Sequence, residues 1–260
     1  MRGDGHTTIR GRCTVGPMSS STRWLFGADV AWQMPVTFSR RRDDFLEWVE
    51  KEVPVSNFFE DGTAAGVAVE RDSRLTINRR SMHVRLSGPD GNLGQVRQLT
   101  SRALELLEPD RISPYLAVGV FSYALDAEYD DARRRLAAVS LDQISPEVDP
   151  YDVAILWDGL LDGAHVQCEF GIVSADELVF RLGNLENTRH TAVVQDVDLS
   201  RAISKADLPD VSVFVTVVWE PLSSQASAGE LLTLLKAAEQ QVTQVADAIR
   251  DRVVILTAEG

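Results

Sequence analysis

The feature that most constrains this chain is a loose repeat in the order of its elements, two runs whose starts lie about 90 residues apart. In each run an apolar strand leads into a helix, then a meander of short strands, then a longer amphipathic helix. The first run extends from Trp24 to Leu107, the second from Tyr115 to Val254. A half-apolar strand or helix must bury its face against another layer, so the repeated order predicts two units sharing a sheet and a helical cover. The predicted fold is α+β: two related strand-helix-meander-helix units forming an antiparallel sheet packed by helices, with a long C-terminal helix. The predicted division is a disordered leader at 1–22, a first unit at 23–112 and a second at 113–260, with Met18 a second candidate start.

Periodicity places the elements. Between Trp24 and Met34, residues Phe26, Ala28, Val30, Trp32 and Met34 alternate onto one face, as in a half-buried strand. A helix follows, with Ser39 as its expected N-cap and Phe45, Leu46, Val49 and Val53 as its apolar stripe, until Pro54 blocks continuation. Strands are predicted at Gly66–Glu70, Arg74–Asn78 and Met82–Leu86, then a helix with Val96, Leu99, Ala103, Leu106 and Leu107 inward. The second run opens on Tyr115–Leu125, apolar enough to be buried on both faces. Asp126 is the expected cap of a helix carrying Tyr129, Ala132, Leu136 and Val139. Strands are predicted at Val153–Trp157, Val166–Ile172, Leu178–Leu182, Thr191–Leu199 and Val211–Trp219. From Gly229 a long helix carries Leu231, Leu235, Ala238, Val242, Val245 and Ile249 at spacings of four and three, a coiled-coil-like period. Its stripe fits either the chain's own sheet or a partner's helix.

Charge divides unevenly. Residues 1–112 carry 16 Lys and Arg against 15 Asp and Glu, and residues 113–260 carry 10 against 24, so the second part holds nearly all of the net −13. An acidic half repels phosphate backbones, which argues against nucleic acid and favours a basic partner or self-association of unlike halves. No apolar run approaches the roughly 18–20 residues of a membrane-spanning helix, so no membrane role is expected. Cys13 and Cys168 imply no disulfide framework, and a reducing cytoplasm is the expected compartment. Only three lysines stand among the basic residues, and this arginine bias with abundant Ala, Val and Asp suggests a bacterial source.

No nucleophile elbow, phosphate loop, dinucleotide fingerprint, zincin helix or paired C-x-x-C is present, so no cofactor is expected. Asp158, Asp162, Asp196 and Asp198 are the candidate ligand or metal residues, because carboxylates meeting at a sheet end suit a hard cation. Asp in a turn and acids alternating along a strand are equally the expected polar face. Arg74, Arg80, His83 and Arg85 are the candidate anion or acidic-partner site, since guanidinium forks match carboxylate and phosphate. His83 and His165 are read as outward positions of corresponding hairpins. Leu231, Leu235, Val242 and Trp219 are the candidate interface, with Trp157 a second aromatic anchor.

The segments Val118-Gly119-Val120 and Asp196-Val197-Asp198, with the N-terminal strand and C-terminal helix, resemble a sporadically distributed, uncharacterised bacterial protein family. The likeness covers most of the chain in topology, few residues in identity, and lacks that family's Pro-rich opening. The element order also resembles two-lobed saddle folds. Neither resemblance implies an activity. The expected function is that of a non-catalytic binding or assembly protein of a bacterial cytoplasmic system, working through a protein partner or as a homo-oligomer. The alternative is an enzyme or small-molecule binder using an acidic cleft between the two units.

Overall fold

Alternation along β1 (Ser21–Gln33) buries Phe26, Ala28, Val30 and Trp32 on one face, as the pleat requires of a strand with a core on one side. The computed structural model describes residues 21–34, 37–53, 55–60, 64–69, 73–87, 93–141, 153–183, 204–223 and 225–258. After β1 come α1 (Phe38–Glu52), β2 (Val55–Glu60), β3 (Ala64–Val69), β4 (Ser73–Asn78), β5 (Ser81–Ser87) and α2 (Leu93–Leu107). The second unit contains β6 (Arg111–Ala124), α3 (Tyr129–Leu141), β7 (Ala154–Leu161), β8 (Ala164–Ser174), α4 (Ala175–Gly183), β9 (Val211–Pro221) and α5 (Ala228–Ala258).

The described strands form one sheet in the order β2-β3-β4-β5-β1-β6-β9-β8-β7, each neighbour antiparallel to the next. Each unit places its first strand at the centre, crosses a helix to the rim, and returns strand by strand to pair beside its own start. The two first strands then pair with each other, from Ser21 opposite Tyr123 to Gln33 opposite Arg111, with irregularities at Arg23/Leu25 and Val30/Ala31. The α+β class, the antiparallel sheet and the long C-terminal helix are as the sequence predicts, while α4 interrupts the second meander between β8 and β9.

Four of the described helices cover one face, with α1 on α2, and α5 lying over β6 and β9 between α2 and α3. On the other face α4 packs against β8 and β9, and its Leu178 and Leu182 close a second cluster over Leu25, Val118, Val120, Val173, Phe214 and Val218. Strand β6 is therefore buried on both sides, with Ala117, Phe121 and Tyr123 facing the four helices. The apolar stripe of α5 (Leu231, Leu235, Ala238, Val242, Ala246 and Val253) is buried in this chain's own core. The helix comes close to the sheet because Gly119 has no side chain. A Cβ there would stand 2.5 Å from Val242 Cγ1 and 2.6 Å from the Phe121 ring.

Local chemistry accounts for the departures from the sequence reading. Residues Leu178–Leu182 are helical, not a strand. Ser174 and Glu177 form a capping box, the Ser174 N–H donating to Glu177 Oε2 at 2.8 Å and the Glu177 N–H to Ser174 Oγ at 3.3 Å. A second box, Ser227 with Glu230, starts α5 and holds the Glu230 carboxyl below its ordinary value. Helix α1 begins beyond Thr37, which makes no side-chain cap bond, so Ser39 is not the cap. Helix α3 starts at Tyr129, with the Ala132 N–H bonded to the Glu128 carbonyl, two residues past Asp126. Val139 is exposed and Ala137 takes the inward place. Strand β2 fills the stretch after Pro54 that carried no strand expectation. By place in the sheet, β9 corresponds to β5 and β8 to β4, so His83 and His165 are not on equivalent strands. The expected leader apart from Ser21 and Thr22, and the expected strand at Thr191–Leu199, lie outside the described residues.

Replacing Gly119 by Ala forces a methyl into the contact between α5 and β6. The expected loss is about 1–3 kcal/mol, the usual cost of overpacking, read from urea unfolding midpoints. Val242→Ala in the same chain is expected to recover part of it.

Candidate functional site

Two features stand out from ordinary surface. The first is β7, the last of the described strands, at the second unit's rim. It leaves Leu156, Trp157 and Leu160 at 48, 43 and 69% exposure. Pleating sends Leu156 and Leu160 to one face, where Asp158 stands between them, and Trp157 to the other, so each face of the rim carries an exposed apolar side chain. Gly159 makes room for the indole, since a Cβ there would meet Trp157 Cζ2 at 2.8 Å. Its register is firmly set: β7 pairs with β8 from Ala154 opposite Gly171 to Leu161 opposite Ala164. The hairpin turns through Asp162 (φ 48°) and Gly163 (φ 82°), the left-handed pair a two-residue turn demands. Asp158, on the strand between the two leucines, hydrogen-bonds to His165 and accepts from Gln167 Nε2 at 3.2 Å.

The second feature is a polar group on the face of the first unit opposite its helices. It begins with Asp29 on β1 and His83 on β5, directly opposite in register, with Gly27 opposite Arg85. Arg85 is only 5% exposed and its Nη1 meets Asp29 Oδ1 at 2.6 Å, also donating to the Val84 carbonyl at 2.9 Å. Gly27 provides the space for its stem, because a Cβ would lie 2.7 Å from Arg85 Cδ. His83 Nδ1 lies 3.0 Å from Asp29 Oδ1, and its Nε2 lies 2.8 Å from Ser81 Oγ. A carboxylate only accepts, so Nδ1 carries a proton, and in the neutral imidazole Nε2 is left to accept from the serine hydroxyl. Asn78 Nδ2 donates to Ser81 Oγ at 2.9 Å, while Asn78 Oδ1 accepts from the Arg80 and Ser81 N–H groups at 2.7 and 2.9 Å.

Of the candidate carboxylates, Asp158 and Asp162 are exposed on β7 and its turn, while Asp196 and Asp198 lie outside the described residues. Among the described residues no three His, Cys, Asp or Glu side chains gather as a metal would require. Of the arginine set, Arg80 is exposed at the turn, Arg74 and His83 are half-buried, and Arg85 is buried against Asp29. Arg85 is thereby committed to a carboxylate of this chain and does not present its fork to a ligand. Leu231, Leu235, Val242 and Trp219 do not form an outer interface. They are core, and Trp219 Nε1 donates to Gln241 of α5 at 2.5 Å. Spacing reveals that a helix face is buried, not what buries it. A shallow groove of about 330 Å³ lies where the first unit passes into the second, lined by Asp110, Arg111, Ile112, Gln225, Ala226, Ser227 and Glu230. Its Glu230 is held by the capping box. Asp29 and Ser81 were missed from sequence, although an acid between Ala28 and Val30 of an apolar strand was a visible signal.

The chain is thus an antiparallel α+β protein of two like units with an apolar rim strand and an inlaid polar group. Compared with protein-family models and with curated proteins, it matches none.

Removing Asp29 strands a buried guanidinium. Asp29→Ala is expected to cost about 3–5 kcal/mol in urea unfolding, and adding Arg85→Met to restore most of it, because the lone charge is the larger penalty. Cys168 is free and buried, and burial pushes its thiol up to about 11. Its thiolate is scarce at pH 8, so Cys168 is expected to resist a disulfide reagent in the folded protein and to react once guanidinium unfolds it. Peptide mapping identifies the labelled residue.

Proposed function

We propose that this chain is a binding and assembly protein of a bacterial cytoplasmic system, working through protein–protein contact at β7. One observation carries the reading: a rim strand exposing three large apolar side chains on both faces. Soluble proteins usually blunt such a rim with charge, proline or a cover, because an open strand edge pairs with whatever extended segment it meets. Added strands gain main-chain hydrogen bonds along the edge and side-chain burial at alternate positions. The acids around β7, among them Asp162 and Glu220, favour a partner segment carrying Lys or Arg between apolar residues. The compartment rests on the unpaired Cys168 thiol, and among the described residues no helix is long and apolar enough to cross a membrane. The enzyme or ligand-binder reading has a separate observation behind it, the Ser81–His83–Asp29 hydrogen-bond chain.

Leu156→Lys with Leu160→Lys places charge on the rim without touching the core. The full chain should show a mass above the monomer in light scattering, or retain a partner, with association faster at low ionic strength. The double variant should lose association while its circular dichroism stays that of the parent. A chain that stays monomeric at high concentration, and retains nothing whose binding depends on these leucines, overturns the reading.

A further inference from the structure

We propose that Ser81, His83 and Asp29 form a nucleophile, base and carboxylate relay able to hydrolyse short-chain carboxylic esters on the open face of the first unit. This goes beyond the assembly reading and departs from the expectation of a chain without chemistry of its own. The order of contacts is the one acyl transfer needs. A hydroxyl lies 2.8 Å from one ring nitrogen, and a carboxylate lies 3.0 Å from the other. Such a relay is recognised by geometry and roles and recurs on unrelated folds without a shared motif, which is why no sequence signature announces it.

Three further features suit the role. Asp29 is held by Arg85 Nη1 at 2.6 Å, with side-chain exposures of 17 and 6% respectively, so the carboxylate that orients the imidazole is itself fixed. Its residues stand on β1 and β5, which are hydrogen-bonded neighbours inside the sheet, and not on a free loop. Ser81 opens β5 beside the 79–80 turn and is half-buried, as is His83, so a small substrate reaches both from solvent. The side chains nearest in register are small, with Ala31 opposite Ser81 and Thr76 opposite His83, which leaves room for a short acyl group. Asn78 Nδ2, 2.9 Å from Ser81 Oγ, is a side-chain donor beside the carbon that Ser81 would attack, where an oxyanion would form.

In the first step Ser81 Oγ bonds to the ester carbonyl carbon as its proton passes to His83 Nε2. The carbon–alkoxy bond then breaks, and the departing oxygen takes that proton as an alcohol. In the second step a water attacks the acyl-serine, giving its proton to His83. The acid leaves as the proton returns to Ser81 Oγ, and no oxidant, reductant or metal enters the balance.

The test uses the full chain with p-nitrophenyl acetate as substrate and a fluorophosphonate as covalent probe. The expected result is hydrolysis above buffer and a probe adduct on the Ser81 peptide by mass spectrometry. Ser81→Ala should abolish the adduct and lower the rate at least about 100-fold, and His83→Gln should lower the rate on a similar scale. His165→Gln, which removes an imidazole paired with a carboxylate but no serine, should leave the rate unchanged. Each variant is first shown to keep the parent's circular dichroism and melting profile. A folded chain whose hydrolysis is the same with and without the Ser81 hydroxyl, and whose probe label falls elsewhere, overturns the proposal. Because the assembly test reads mass and this one reads acyl transfer, either can fail alone.

Discussion

Everything in this molecule hangs on the antiparallel contact of β1 with β6. These strands start the two units, lie about 90 residues apart in sequence, and must find each other across that distance. Closing so long a loop costs entropy before any contact returns it. What returns it is burial on both sides of β6. One face lies beneath α5 and the other beneath the cluster that α4 completes. The meanders then need no further long-range search, because β5 and β9 each come home beside the strand that began their unit.

Close to that seam the sheet carries a charge pair where an all-apolar face would have been simpler. Asp29 and Arg85 face away from the four helices, next to strands whose corresponding face is apolar in the second unit. A paired charge in such a place adds little net stability, since desolvation consumes much of the attraction, yet neither member is dispensable once the other is present. The ion pair also settles how His83 points. With Nδ1 directed to the carboxylate, Nε2 is left to the serine, so an arrangement that adds little net stability fixes the geometry of the histidine–serine contact.

Much of the architecture was legible from periodicity, and the errors have physical causes. Strands β1, β6 and β9 and helix α5 carry long unbroken patterns, and each stands where its pattern put it. The segment from Leu178 to Leu182 satisfies both periods: alternation suggests Leu178, Phe180 and Leu182 on a strand, while Leu178 and Leu182 are also one helical turn apart. The serine and glutamate of the capping box decide it, and Phe180 is left 68% exposed. The polar group was legible only in part: His83 and Arg85 stood among the candidates, but not their partner Asp29 or Ser81. Asp29 and His83 stand 54 residues apart, and only the register of β1 against β5 brings them together. The apolar rim was half legible, since Trp157 invited an interface reading while Leu156 and Leu160 drew none.

The two units share a plan, but α4 sits over the second only. Where α4 lies, a substitution on that face must keep the volume of a packed interior, so Val118, Val120 and Phe214 can drift only among like shapes. On the first unit the same side of the sheet meets no helix among the described residues, and a residue there answers to its hydrogen-bond neighbours and little else. Among the described residues, one half of the sheet is thereby constrained by the volume of its neighbours and the other by the pairing of its charges.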